Sequence, residues 1–262
     1  MREGNDAGWH QQCIGGGSIT STVASLRMCV AGGGAAGYSD AEINDYGGRG
    51  RHGFGWRPPV RMTLRARASH PAAQPGGQVA DDATLRGTAG FGFWNAPFML
   101  AQRGGRLPDA VWFLYTSPPG DLRLVPDVPG YGWKAQSVHA HRLGAIVAAP
   151  PTAAAIAWAR LSQQQRPAAR WIQRLSGTHE ALLAADLQSW HTYRLDWLPD
   201  LATFYVDDQA VFTAPAPSRG PLGFVAWLDN QYAVVTPRGV FRSGTLMTTP
   251  QWLEIADLAI TR

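Results

Sequence analysis

The 262-residue sequence predicts an all-β protein of two packed antiparallel sheets, with ~40–50% of residues in strands against the ~20–25% of an average soluble protein. Three observations predict it. Residues 61–68 alternate strictly, Arg61, Thr63, Arg65 and Arg67 against Met62, Leu64, Ala66 and Ala68, the period of two that wets one face and buries the other. Residues 190–212, WHTYRLDWLPDLATFYVDDQAVF, read as antiparallel strands broken by LeuProAsp at 198–200 and turned at Asp207 and Asp208. Gly 30 and Pro 19 punctuate the chain often enough for many short strands, and the length suits one large β domain.

Taken in order, residues 1–17 are polar and Gly-rich and are expected as a loosely held arm, with 18–262 forming a single domain. A first strand is expected over 18–30 and an alternating one over 38–46. The 61–68 strand follows, then a Pro/Gly/Asp-rich loop over 70–87 and a strand in GTAGFGFWN at 87–95. Residues 109–115 are apolar on both faces, and 133–141 read as a further strand. Pro at the start, Thr152 near the cap and an Ala-rich run over 150–161 predict a short helical insertion near 150–166, before Pro167. Strands at 221–235 and 251–260 close the chain.

The wording of 190–207 resembles Trp-His-x-Tyr-x-x-x-Trp-x-Pro-x-x-x-x-x-Tyr-Val-Asp-Gly of glycoside hydrolase family 16. The resemblance implies a concanavalin A-like β-jelly roll, with matching element order over about 38–260. The Arg-rich 61–67 strand followed by 90–94 looks like the family's pair in the same order, and Asp257 stands in the place of a common family Asp. The resemblance also implies where catalytic groups belong: the family carries them on one strand, Glu-Ile-Asp-Ile-x-Glu. Here the corresponding strand is Asp109-Ala-Val-Trp-Phe-Leu-Tyr115, whose only acid lies at its edge. Retaining hydrolysis needs two carboxyl groups ~5 Å apart, so the family's mechanism does not carry over.

Other residues supply candidate chemistry. Asp40, Glu42 and Asn44 share one face while Asp45 points with Ile43, so Glu42 or Asp45 is the expected carboxylate, against the alternative of solvated turn residues. Trp227, Asp229 and Gln231 share a face, with Asn230 on the other beside Leu228 and Phe224; this is either a polar ligand patch or a bulge held by side-chain bonds. Trp94-Asn95 and Trp133-Lys134 repeat an aromatic platform beside a hydrogen-bonding group, the combination that suits a sugar ring, and Tyr115 is a rim donor. For any single Trp a core role is the commoner one, but 11 in one chain exceed what a core requires. His139 and His141 lie two apart; His139 is a candidate acid/base, and with no third ligand signalled no metal site is expected. The expected site is thus Glu42, Asp45, Asp229 and His139 for catalysis, with Trp94, Asn95, Tyr115, Trp133, Lys134, Trp227, Asn230 and Gln231 binding ligand on a concave sheet.

A net charge of +4 is spread over scattered arginines, which argues against nucleic acid as a partner. No window approaches the ~20 apolar residues of a membrane-spanning helix. MREGND is followed by no apolar run, so no signal peptide is read in this sequence and a cytoplasmic home is slightly favoured over an exported one. Cys13 and Cys29 are expected as free thiols, and no cofactor is implied. The first expectation is a glycan-active or glycan-binding protein. A second is an isomerase, cyclase or lyase acting on a small, mostly apolar substrate. LeuArgAlaArg at 64–67, Gln136 with His139, and AspAsnGlnTyr at 229–232 occur in the order of alginate-lyase motifs but at different spacings. A third is a non-catalytic binding module. Ligand identity and oligomeric state stay open.

Overall fold

Short alternating strands with turn residues between them can bury an apolar face only by stacking sheet on sheet, and the protein does so. The structure, a computed structural model, describes residues 2–3, 9–32, 37–47, 53–76, 83–95, 109–125, 127–139, 177–217, 220–235 and 241–262. Its strands are β1 (Arg2–Glu3), β2 (His10–Ile14), β3 (Gly17–Ser21), β4 (Ser25–Val30), β5 (Asp40–Asn44), β6 (Val60–Ala68), β7 (Thr88–Trp94), β8 (Asp109–Thr116) and β9 (Asp121–Leu122). They continue with β10 (Gly132–His139), β11 (Thr178–Leu182), β12 (His191–Trp197), β13 (Leu201–Val206), β14 (Gln209–Pro215), β15 (Gly223–Asp229), β16 (Gln231–Val235), β17 (Phe241–Thr245) and β18 (Gln251–Thr261).

One sheet has the order β14-β13-β12-β6-β18-β4-β3, with β1 added against β18. The other has the order β11-β10-β8-β7-β15-β5-β2, and a small sheet runs β17-β16-β9. All pairs in the two large sheets are antiparallel. This is the two-sheet sandwich expected from the sequence and the architecture the family resemblance implies. The helical insertion expected near 150–166 and His141 lie outside the described residues. The single strand expected over 18–30 is a hairpin, β3 and β4, bonded at its turn by Thr22 and Ser25. Within the segment expected as an arm, His10–Ile14 pairs with β5, so backbone pairing holds residues whose composition alone signalled looseness.

The alternation at 61–68 holds residue by residue: Met62 and Leu64 are fully buried, Arg61 and Arg65 exposed. Asp207 and Asp208 both take left-handed backbone conformations, φ 47° and 65°, the two-residue turn that matches strand twist in a hairpin. Between the sheets lies an aromatic core in which Phe91, Phe113, Trp133, Tyr193 and Phe204 meet at ring-centroid distances of 5.1–6.1 Å. The register of β8 with β10 assigns its lining. Trp133 pairs with Tyr115 and Ala135 with Phe113, so odd-numbered residues of β8 and β10 face inward and even-numbered ones outward. Both cysteines are free thiols.

Candidate functional site

The outer face of the seven-stranded sheet collects the side chains that the core does not use. From β7 come Thr88 and Trp94, with Gly90 and Gly92 between them; from β8, Trp112; from β15, Trp227 and Asp229; from β5, Asp40, Glu42 and Asn44. Trp94, Trp112 and Trp227 form a row across neighbouring strands, with Trp112 in the middle, its ring 5.9 Å from that of Trp94 and 5.2 Å from that of Trp227. All three are partly exposed.

The two glycines make the row possible. A Cβ on Gly90 would lie 2.8 Å from Trp227 Cη2, and one on Gly92 would lie 2.6 Å from Trp112 Cβ. The Trp227 ring therefore rests where an ordinary residue at 90 would place its own side chain, and at 92 the same space is taken by the backbone and Cβ of Trp112. Each indole N–H is also fixed: Trp94 Nε1 donates to Tyr46 Oη (2.8 Å), Trp227 Nε1 to Thr88 Oγ1 (2.9 Å) and Trp112 Nε1 to Gln136 Oε1 (2.7 Å). The ring faces are thus held while their edges are satisfied.

Beside the row stand three carboxylates. Asp40 and Asp229 are cross-strand partners, and Glu42 sits two residues along β5 on the same face, opposite Trp227. Directly opposed side chains have Cβ atoms ~4.5–5.5 Å apart. Burial, then the charges of Glu42 and Asp229, push Asp40 up to about 8. Burial pushes Asp229 up to about 6, against the bonds its Oδ1 accepts from Thr88 N, Thr88 Oγ1 and Gln231 N. Burial also raises Glu42, whose Oε1 accepts from Asn44 Nδ2 (2.7 Å) and Tyr46 Oη (3.1 Å). Glu42 is the most accessible of the three; Asp40 and Asp229 are buried. The arrangement can stack flat apolar faces, accept hydrogen bonds and hold a proton near neutral pH.

On the far side of Trp112 the same face carries Gln136, Glu180 and Lys134, all buried. Glu180 Oε1 lies 3.3 Å from Lys134 Nζ, and its Oε2 accepts from Gln136 Nε2 at 2.9 Å. Burial lowers the lysine and raises the glutamate, since low polarity penalises both charged forms.

Of the residues expected from sequence, Trp94, Trp227, Glu42, Asp229 and Lys134 share this outer face. Others do not. Trp133 and Tyr115 lie between the sheets; Trp133 packs on Phe113, while the Tyr115 hydroxyl donates to Leu85 O (2.6 Å) and accepts from Ala73 N (3.1 Å). Their odd-numbered positions turn them inward, so neither lines the row. Asp45 is separated from Glu42: it accepts from Trp56 Nε1 and from Phe224 N (2.9 Å), and lines a cavity with Gly55, Trp56 and Arg262 instead. His139 faces Asp109, Nδ1 to Oδ1 2.8 Å, at the end of the inward-facing row. Asn95 is buried, its Oδ1 accepting from Asp109 N (3.1 Å). Asn230 fastens three segments, donating to Gly37 O and Leu246 O and accepting from Ser39 N. Gln231 belongs to the small sheet and meets the site through its backbone N–H to Asp229. No group of three metal-ligating side chains occurs among the described residues.

Sequence reasoning missed Trp112, Tyr46, Thr88 and Glu180 and did not give Asp40 a role. The signal for Trp112 was parity: once Phe113 faces the core, its neighbour must face out. The outward side chains of β8 are Ala110, Trp112, Leu114 and Thr116, so the strand that resembles the family's catalytic strand presents no carboxylate on this face.

No family model matches the chain and no curated protein matches it. Solved structures similar to it include a Bacillus licheniformis β-glucanase, 12% identical, covering 98% of this chain and 94% of that one with a TM-score of 0.47. A pseudo β-1,3-glucanase of Mycobacterium tuberculosis is 12% identical, covering 90% of this chain and 74% of that one, with a TM-score of 0.44. An endo-β-galactosidase from Clostridium perfringens is 10% identical over 92% of this chain and 53% of that one, TM-score 0.45. At these values they decide nothing about function.

Proposed function

We propose that the protein binds a carbohydrate chain on the outer face of the seven-stranded sheet, over Trp94, Trp112 and Trp227. The row of three indoles, rings 5.2–5.9 Å apart with Trp227 seated over Gly90, carries this reading. A pyranose offers an apolar C–H face and a hydroxylated edge, and such a row matches the first. Glu42 at its side supplies an acceptor for the second. Tight fixation of each indole N–H lowers the entropy lost on binding, which favours affinity.

The test is titration of gluco-, galacto- and uronic-acid hexasaccharides by calorimetry, with the Trp227→Ala variant beside the unaltered protein. Binding by one sugar class that falls about tenfold or more in the variant supports the reading. No binding by any class rejects it.

A second reading rests on a specific observation: Asp40 and Glu42 stand two residues apart on one face of β5, where burial pushes both carboxyls up, Asp40 to about 8. A carboxyl pushed up toward neutral pH with a second carboxyl on the same face is the arrangement from which an acid and a base can act on a substrate lying over the indoles. This would make the protein an isomerase, lyase or cyclase of the bound molecule. Hydrolysis of laminarin or lichenan by the family's route is not expected, because β8 places no carboxylate outward. Product formation lost in Glu42→Gln with binding retained would favour this second reading over simple binding.

A further inference from the structure

Trp112 is the middle ring of the row, and its one indole N–H bond leads into a buried polar chain. Its Nε1 donates to Gln136 Oε1, Gln136 Nε2 donates to Glu180 Oε2, Glu180 Oε1 meets Lys134 Nζ, and Lys134 Nζ reaches Leu122 O at 3.5 Å. The side chains of Lys134 and Glu180 are 1% and 0% exposed. A buried ion pair is a costly way to hold two strands together, because removing both charges from water offsets most of their attraction. Its value here lies in orientation.

We propose that Lys134 and Glu180 are positioning residues for the aromatic row, setting the Trp112 ring through the Gln136 amide. This rests on the reading of the row as the ligand surface. An amide has one acceptor end and one donor end. Between an indole N–H and a carboxylate it satisfies both in one orientation only, with Oε1 toward Trp112 and the NH2 group toward Glu180. The reversed amide sets N–H against N–H and oxygen against oxygen. Glu180 therefore helps decide which way Gln136 points, and Lys134, beside Oε1, turns Glu180 to offer Oε2 to the amide. With the ion pair removed, only the indole N–H is left to orient Gln136, and the acceptor of Trp112 is held less firmly. The other two rings are fixed from different sources, Tyr46 and Thr88, and stay as they are.

Two measurements test the inference. The indole N–H resonance of Trp112, assigned with Trp112→Phe, reports its bond without any ligand. In Lys134→Met it is expected to shift and to exchange with solvent at least tenfold faster, while those of Trp94 and Trp227 stay in place. Glu180→Gln keeps the side-chain shape and provides a folded protein if Lys134→Met does not fold. Its single amide oxygen cannot serve both Gln136 and Lys134, so it should move the Trp112 resonance in the same direction but less. An unmoved Trp112 resonance in folded Glu180→Gln overturns the inference. The second measurement is affinity for the hexasaccharide that binds best. Lys134→Met should weaken it about tenfold in the unaltered background and not at all in Trp112→Phe, whereas an equal loss in both backgrounds overturns it. Should no hexasaccharide bind the unaltered protein, the functional reading fails while the resonance still decides the positioning role.

Discussion

Both large sheets carry tryptophan on their outer faces, and the two faces treat it in opposite ways. On the eight-stranded sheet, Arg27 and Arg67 lie over the Trp252 ring at 4.5 and 5.4 Å, and Arg65 and Arg67 over Trp190 at 5.0 and 4.8 Å. Glu254 ties Arg27 to Arg67. On the seven-stranded sheet no guanidinium or ammonium lies over Trp94, Trp112 or Trp227 among the described residues; their ring neighbours are one another. An indole face already covered by a cation has its attraction satisfied within the protein. One without such cover keeps that attraction for a ligand. The difference teaches that counting tryptophans says little about binding until the occupant of each ring face is known.

The carboxylates differ in the same sense, and this gives the largest expected effect. Burial raises Glu254, but hydrogen bonds from Ser25, Arg67 and Arg27 outweigh it and hold its carboxyl below the usual range. Among the described residues no such cation pairs with Asp40, which is pushed up to about 8. For Asp40 the folded protein binds a proton that the unfolded chain has released between about pH 4 and pH 8, so stability falls as pH rises through that window. Asp40→Asn, which mimics the protonated form, should be more stable than the unaltered protein at pH 8.5 by on the order of a few kcal/mol and equal to it near pH 4. Glu254→Gln should show the opposite sign: a loss of stability at pH 7 that disappears as the pH falls below the glutamate's depressed titration range. Urea unfolding at the stated pH values checks both, and Asp40→Asn without a pH-dependent gain would show that burial does not raise Asp40.

Next in size is Gly92, which has φ 152° and a Cβ position 2.5 Å from Val111 O. Gly92→Ala should cost about 1–3 kcal/mol and displace the Trp112 ring, seen as a lower urea midpoint with altered tryptophan fluorescence. The smallest effect belongs to the other sheet. Arg61 pairs with Asp196 at 2.6 and 3.0 Å, but its side chain is 59% exposed. Arg61→Ala should cost no more than about 1 kcal/mol, and less in high salt.

The fold was legible because its strands are short and half-wet. At 61–68 every second residue is charged or hydroxylated, which leaves one possible core face, and the same holds over 191–197. The site was harder to read for the same physical reason in reverse. Residues 110–115 are apolar throughout, so nothing local says that Phe113 and Tyr115 turn inward while Trp112 turns out. That is settled by pairing with β10 and β7. Likewise Trp133 looked like a platform because Lys134 follows it, but adjacent residues of a strand point to opposite faces, and it is Lys134 that faces out. Asp40 lacked a clear local mark of its role because its raised titration comes first from burial in the assembled sheet, then from Glu42 and from Asp229, which is 189 positions away in sequence and directly opposite in the sheet. Asp45 failed as a site residue because Trp56 and the backbone of Phe224 claim it.

The most direct test of the account is a titration of the ¹⁵N-labelled protein with the hexasaccharide that binds best, following the indole N–H resonances. The account predicts that Trp94, Trp112 and Trp227 shift with one common dissociation constant while Trp190 and Trp252, covered by arginines, do not move. Shifts confined to Trp190 and Trp252, or spread equally over both sheets, would contradict it.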